Sequence, residues 1–315
     1  MIKKWGLGPS CAARFRVTAP AGPGQSPALP FFCLFCLILL ASPPSWGAEF
    51  KIATWNLNWF TLRPAHDAAL PADVQPRVAG DFVALRGYAD KLAADVVAFE
   101  EVDGAGAATR LFDPARYSIV TIRQDVVQQV GLAVRRPIEV RQNADVGALD
   151  VEPPGAVHHL RHGLDATLIF PGGASLRVLA VHLKTGCHTD HLRRSPRHEC
   201  ALFARQIPVV AAWLRARVVE GVPFALLGDF NRVMDENEEF STAVAAAAPM
   251  VRVTEGSSDP CWGGGAFIDH IFLGGPARGW LVPGSLRVLT YRSTDEHDKD
   301  HLSDHCPVSV RLRPG

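Results

Sequence analysis

Short apolar runs recur along the chain, and most of them stop on a polar side chain. Phe50-Lys51-Ile52-Ala53-Thr54-Trp55-Asn56 alternates with period two and ends on an amide, which predicts a strand. Polar, proline-containing loop sequence follows to about Pro76. Phe82, Leu85, Tyr88, Ala89 and Leu92 then repeat at helical spacing, and that helix gives out near Ala94-Asp95. Further strands are predicted at Val96–Phe99, which runs into Glu100-Glu101, and at Tyr117–Ile122, Val130–Arg135 and Leu164–Phe170. Leu176–Val181 reads as another strand and ends at His182-Leu183-Lys184.

A polar loop, Cys187–Cys200, precedes a helix marked by Leu202, Phe203, Ile207, Val210 and Leu214, which Pro208 should kink or restart. Phe224-Ala225-Leu226-Leu227 breaks off at Gly228-Asp229-Phe230-Asn231. Asp and Asn two apart on extended chain share a face, delivering a carboxylate and an amide to one spot. The plainer reading of the same residues is a turn closed by an Asx bond. Phe267–Leu273 is a strand with Asp269 in mid-run, and Leu302-Ser303-Asp304-His305-Cys306 leads into a last strand, Pro307–Leu312. Strands alternating with helices, without repeat or linker in 49–315, indicate one α/β domain.

Composition refines this picture at the N-terminus. Basic residues Lys3, Lys4, Arg14 and Arg16 precede an apolar core at 30–41, and small residues Ser45 and Gly47 follow it. That core is short for a membrane span, so 1–47 reads as a signal peptide, with an uncleaved anchor as the alternative. Residues 48–315 are then the folded domain of a secreted or periplasmic protein, with no integral membrane association expected after cleavage. The whole chain carries 32 basic and 32 acidic residues, so the body is slightly acidic, which excludes a broad electrostatic footprint for nucleic acid but leaves room for a local patch.

Export also governs the cysteines. Cys11, Cys33 and Cys36 fall in the leader, leaving Cys187, Cys200, Cys261 and Cys306. Four cysteines allow two disulfides in three connectivities; the short loop favours Cys187–Cys200, with Cys261–Cys306 remaining. Zinc held with His188, His191 and His198 is the rival, and it lacks a C-x-x-C pair.

Each polar strand end has an ordinary explanation as a helix cap, a solvated turn or a packed histidine. Asp269 is harder to dismiss, because an acid flanked by Phe267, Ile268, Ile271 and Phe272 is costly to bury unpartnered. Asn56, Glu101, His182, Asp229/Asn231, Asp269 and Asp304/His305 together make a set of acids, amides and imidazoles. Carboxylate and amide oxygens suit Mg²⁺ or Mn²⁺, and imidazole and metal can offset charge on a reacting phosphate. No GxxxxGK[ST] phosphate loop and no G-x-S-x-G nucleophile elbow competes.

The ordered words TWN, EEV, VHLKTGC, LLGDFN, IDHIF and LSDHCPV resemble the endonuclease/exonuclease/phosphatase superfamily from about Phe50 to Leu312. That group includes pancreatic-type deoxyribonucleases, abasic-site endonucleases, inositol polyphosphate 5-phosphatases and neutral sphingomyelinases. The resemblance implies a four-layer α/β sandwich, two mixed β-sheets face to face with helices on both outer sides. It implies Glu101 as the principal ligand of Mg²⁺ (Mn²⁺ or Ca²⁺ as alternatives), aided by Asn56 and Asp304. It implies that Asp229 orients or deprotonates the attacking water, that Asn231 assists, and that Asp269 orients a charged His305. His182 is expected on a phosphate oxygen or the leaving group, and Arg161 and Lys184 near phosphate.

Two positions depart from the family pattern. Glu100 stands where Gln is usual, and its side chain is expected on the opposite face, away from the metal. Gln128-Gln129 stand where some extracellular nucleases place a glutamate behind the catalytic histidine.

The expected activity is metal-dependent phosphodiester hydrolysis by a monomer without a stable protein partner, most directly on DNA or RNA, with Arg193, Arg194 and Arg197 riding on backbone phosphates. The plainer reading of these arginines is a solvated loop. A lipid or small-molecule phosphodiesterase of sphingomyelinase type is the alternative, although no exposed aromatic tract marks a membrane-facing hairpin. A binding protein on the same fold is the third reading, and the intact catalytic positions argue against it.

Overall fold

The computed structural model describes residues 48–315 except 236 and 237; the leader reading of 1–47 falls outside the described residues. Two six-stranded mixed sheets form the centre. The first has the order β11 (Arg287–Val288), β12 (Val308–Leu312), β1 (Phe50–Phe60), β2 (Val96–Val102), β4 (Gln129–Arg135), β3 (Tyr117–Thr121). The second runs β5 (Glu139–Gln142), β6 (Leu164–Ile169), β7 (Ser175–His182), β8 (Phe224–Asp229), β10 (Asp269–Gly274), β9 (Met250–Arg252). β1 pairs with β2, and β7 with β8, in parallel; the other pairings are antiparallel.

The layers follow from which residues each strand face buries. Ile52, Val96, Ala98, Leu132 and Val134 of one sheet meet Leu168, Val178, Ala180, Leu227 and Ile271 of the other in a shared core. The outer face of the first sheet packs on α1 (Ala79–Leu92) through Leu85, Tyr88 and Leu92, and α2 (Gly104–Ala108) adds Ala107 and Ala108. The second sheet's outer face packs on α3 (His198–Glu220) and α4 (Glu239–Ala247) through Phe203, Val210, Leu214 and Phe240. Helix, sheet, sheet, helix is the expected sandwich. A short α5 (Asp298–His301) lies just before the last motif. No helix of the described residues is long and apolar enough to cross a membrane.

Several local expectations are corrected. β1 continues to Phe60, where loop sequence was expected; Asn58 and Trp59 take left-handed φ values of 44° and 51°, and the pairing with β2 shifts there. Pro208 does not restart the helix: α3 runs through it from His198 to Glu220, with Pro208 on its exposed face. Asp269 is the first residue of β10 and not the middle of a strand. Both disulfides, Cys187–Cys200 and Cys261–Cys306, are formed, which removes the thiolates a zinc site would need.

Candidate active site

Strand register builds the site. His182, the last residue of β7, pairs with Asp229, the last of β8, and Asp229 pairs with Asp269, the first of β10. Side chains in one such row project from one face. Val178, Ala180, Leu227 and Ile271 of the same parity lie in the inter-sheet core, so these three side chains emerge at its open end. Asn56 and Glu100, paired across β1 and β2, share the parity of Ile52 and Ala98 and close the same end from the opposing sheet.

Gly228 allows the row to form. Its φ is +142°, and a Cβ there would lie 1.9 Å from the Val181 carbonyl oxygen, so only glycine lets β8 approach β7 at this point.

Glu101 would face the other way under strict alternation. Its φ of 59° breaks the alternation, at the place where β2 also shifts register against both neighbours. Its Oε1 accepts from Asn56 Nδ2 at 3.1 Å, and its Oε2 accepts from the Trp59 backbone N–H at 3.1 Å and from Gln128. Gln128 therefore holds Glu101, and among the described residues His182 Nδ1 has no partner.

Glu100 corrects a second expectation, since both glutamates feel the same cluster. Its side chain is fully buried in the inter-sheet space, where Thr54 Oγ1 donates to it at 3.0 Å. Burial, then Asp269 and Asp229, push its carboxyl well above the usual range.

Asp229 and Asn231 do meet, but through a turn. Asn231 is left-handed at φ 51°, and its backbone N–H donates to Asp229 Oδ1 at 2.7 Å while its Nδ2 donates to Oδ2 at 3.0 Å. The Asx turn and the shared polar spot are the same object. Asn56 Nδ2 also donates to Asp229 Oδ2 at 3.0 Å. Asn56 thus turns its nitrogen toward both acids, and its oxygen accepts from the Asn58 N–H.

The imidazoles are driven to opposite charge states. Burial depresses His182 well below its ordinary value, with Arg161 and His305 adding to this, so it is neutral. Its Nε2 faces Asp229 Oδ2 at 3.5 Å and Glu101 Oε1 at 3.6 Å, which places the proton on that nitrogen. Burial would depress His305 too, but Asp269 and Asp229 outweigh it and raise it well above its ordinary value. His305 Nδ1 lies 2.6 Å from Asp269 Oδ2, and Nε2 lies 3.9 Å from Asp229 Oδ2. Asp229, Asp269 and His305 can bring ligand atoms within 4.8 Å of one another.

The donor set fits a divalent cation. Glu100, Glu101, Asp229 and Asp269 are all raised, with burial the first cause in each, and Asp229 reaches about 6. Among the described residues, Asp269 Oδ1 and Glu100 Oε2 are buried without a partner. Carboxylates held together in this state ionise fully only with a counter-charge beyond the nearby Arg161 and His305, and hard oxygens are what Mg²⁺ or Ca²⁺ binds. Asp304 is exposed beside them.

Arg161 and Lys184 line a cavity of about 580 Å³ with Trp59 and Gln128, next to Glu101. The loop arginines behave differently. Arg197 is paired with Asp190 and Glu199, Arg193 lies 4.0 Å from Glu239, and Arg194 is exposed; among the described residues none is bonded to the acid cluster. Sequence reasoning missed Ser303, whose Oγ donates to the Asn56 carbonyl and accepts from the His305 N–H at 3.0 Å. Its place inside LSDHCPV was the available signal.

The profile of the Endonuclease/Exonuclease/phosphatase family matches residues 53–305. Among solved structures, the chain is similar to the catalytic domain of human Nocturnin with bound sulfate (15% identity, TM-score 0.55, 84% of this chain and 93% of that one). It is similar to a variant of the 3' phosphatase NExo from Neisseria bound to a product DNA hairpin (16%, 0.54, 84% and 99%). Truncated TDP2 of Caenorhabditis elegans is another likeness (13%, 0.53, 84% and 98%). No curated protein sequence matches the chain. At these identities the structures establish the fold, and the profile establishes membership: the chain belongs to the Endonuclease/Exonuclease/phosphatase family, whose enzymes hydrolyse phosphodiester or phosphate bonds.

Proposed function

We propose that this protein is an exported, divalent-metal-dependent phosphodiester hydrolase acting on nucleic acid. The observation that carries the reading is the pairing of a neutral His182 and a charged His305 on either side of Asp229. Two imidazoles in opposite states around one carboxylate suit a reaction that must both take and offset charge.

In this reading Asp229 orients the attacking water and takes its proton, and Asn231 fixes the carboxylate by its two bonds. His305, kept charged by Asp269, neutralises charge gathering on the phosphate oxygens. His182 donates from Nε2 to another phosphate oxygen or to the leaving group. Glu101 and Asp304 would hold the metal, for which Mg²⁺ is the first choice, with Asn56, which bridges Glu101 and Asp229 through its Nδ2, aiding them there by turning its amide oxygen. The bound ion would supply Lewis-acid polarisation of the phosphate. Arg161 and Lys184 bind substrate phosphate from the adjoining cavity, and Arg193, Arg194 and Arg197 extend the footprint along the disulfide-closed loop.

Export is supported by the apolar leader and by two disulfides in the folded domain. The test is hydrolysis of plasmid DNA, RNA, sphingomyelin and a chromogenic phosphodiester with Mg²⁺ or EDTA. Cleavage of nucleic acid with Mg²⁺ is expected; cleavage of lipid alone would move the protein to the sphingomyelinase-like alternative.

A further inference from the structure

The segment Ser303–Cys306, which carries Asp304 and His305, is held through its backbone by side chains from elsewhere. Trp262 Nε1 donates to the Ser303 carbonyl at 2.9 Å. The Tyr291 hydroxyl donates to the His305 carbonyl at 2.9 Å and itself accepts from Trp55 Nε1 at 2.9 Å. The Trp262 and Tyr291 rings pack with centroids 5.4 Å apart, and Cys306 is bonded to Cys261, one residue before Trp262. Trp262 is left-handed at φ 46°, a conformation a bulky residue holds only when its surroundings impose it. Asp259 supplies part of that restraint by accepting the Cys261 N–H and bridging to Gly265.

The two disulfides differ in access. Cys187 and Cys200 are both 0% exposed, Cys200 in the first turn of α3 and both inside the core there. Cys306 is 1% exposed, but Cys261 is partly open to solvent. A small thiol reagent therefore reaches the bond beside His305 first.

We propose that the Cys261–Cys306 disulfide, acting with Trp262 and Tyr291, is a positioning clamp on His305, and that opening this one bond lowers the catalytic rate while the chain stays folded. The inference rests on the reading of His305 as part of the hydrolytic site. Opening is a thiol–disulfide exchange with a dithiol as reductant. Its thiolate attacks the accessible Cys261 sulfur, the sulfur–sulfur bond to Cys306 breaks, and Cys306 leaves as a thiolate that takes a proton. The reagent's second thiol then closes on the mixed disulfide, so the reagent ends as a cyclic disulfide and Cys261 as a thiol. Released, the hairpin at 259–265 no longer fixes the Ser303 carbonyl through Trp262. His305 keeps its bond to Asp269 but loses a fixed backbone, and a displacement of about 1 Å in a reacting group costs up to roughly 100-fold in rate. Arg161 and Lys184, which bind substrate in this reading, lie before β6 and after β7, away from the clamp, and are unaffected.

The experiment measures hydrolysis of a chromogenic phosphodiester with Mg²⁺ before and after mild dithiothreitol, with alkylation and mass spectrometry to identify the opened bond. With only Cys261 and Cys306 alkylated, kcat should fall roughly 10- to 100-fold, KM should stay within about twofold, and the far-ultraviolet circular dichroism should not change. Hydrogen exchange of the peptide 302–307 should rise in parallel. Cys261→Ser should show the same low kcat and no further loss with reductant. Tyr291→Phe, which keeps the disulfide, should lower kcat about threefold to tenfold, again with little change in KM. An alkylated protein with the kcat of the oxidised one overturns the proposal. So does a Cys261→Ser variant that still loses rate on reduction, since the sensitive bond is then Cys187–Cys200. An oxidised protein that hydrolyses nothing overturns the proposed function instead, and the clamp is then judged by exchange alone: no rise at 302–307 on reduction overturns it.

Discussion

Asp229 and Asp269 stand directly opposite each other on β8 and β10, and His305 lies between them, with Nδ1 2.6 Å from Asp269 and Nε2 3.9 Å from Asp229. The two acids are equivalent in register and unequal in partner. Asp269 is taken up by one ring nitrogen at 2.6 Å, while Asp229 is held by Asn56 and Asn231 and faces His182 and His305 only at 3.5 and 3.9 Å. This division leaves Asp229 as the acid able to accept a proton.

The pH dependence follows from that division. Burial pushes Asp229 to about 6, with Asp269 adding to the rise and His305 opposing it. A base with this value works only when deprotonated, so activity should rise with pH through about 6. It should fall again as pH passes the raised value of His305, which must stay charged. A bound cation favours the ionised acid, so saturating Mg²⁺ should move the acid limb below 6. Asp269→Asn removes one of the charges that raise His305 and should draw the alkaline limb to lower pH. Profiles of kcat/KM at several Mg²⁺ concentrations check both shifts; an alkaline limb unmoved in Asp269→Asn contradicts the pairing.

Glu100 offers a test on stability. Its folded value is raised well above the ordinary carboxylate, so the folded state favours the protonated form. The sign is then fixed: its penalty is absent below the unfolded value near 4.3 and grows as pH rises toward the folded value. Glu100→Gln should therefore be close to wild type at pH 4 and more stable at pH 8, by about 1–3 kcal/mol. Urea melts at the two pH values measure this. A variant less stable at pH 8 than at pH 4, relative to wild type, would show that Glu100 is ionised and paired.

Metal removal should be visible without any substrate. Ligands that bind only the folded state stabilise it by about 2.7 kcal/mol at a hundredfold excess over Kd. Thermal melts should rise with Mg²⁺ and return with EDTA, and Glu101→Gln should weaken the response. Equal shifts in wild type and Glu101→Gln would place the ion elsewhere.

Gly228→Ala tests the row itself. An added Cβ would sit 1.9 Å from the Val181 carbonyl at a φ no ordinary residue favours, so β7 and β8 must separate. The loss should exceed about 4 kcal/mol, or the variant should fail to fold. A stable and active Gly228→Ala protein would contradict the strand spacing.

Much of this was legible in the chain, for identifiable reasons. Asp229 and His182 end apolar strands, and Asp269 breaks into one, so each announced itself by interrupting a pattern. Their alignment was not legible, because register across β7, β8 and β10 depends on pairing between distant segments. The place of Glu100 escaped for a similar reason: the left-handed Glu101 at the bulge breaks alternation, so both glutamates meet the cluster where one was expected on the opposite face. Tyr291 could not be read at all, since its link to His305 crosses fourteen residues and depends on where the backbone folds back. The unbroken run of α3 through Pro208 was not legible, because local propensity cannot tell which helix face meets solvent.

The most direct measurement is the single-turnover cleavage of plasmid DNA by the purified protein, wild type and Asp229→Asn, with Mg²⁺ and with EDTA. Wild type should nick the plasmid with Mg²⁺ only, and Asp229→Asn should be slower by roughly 10²- to 10⁴-fold while keeping the Mg²⁺-dependent rise in melting temperature. Cleavage that survives EDTA, or an Asp229→Asn protein as fast as wild type, would contradict the account.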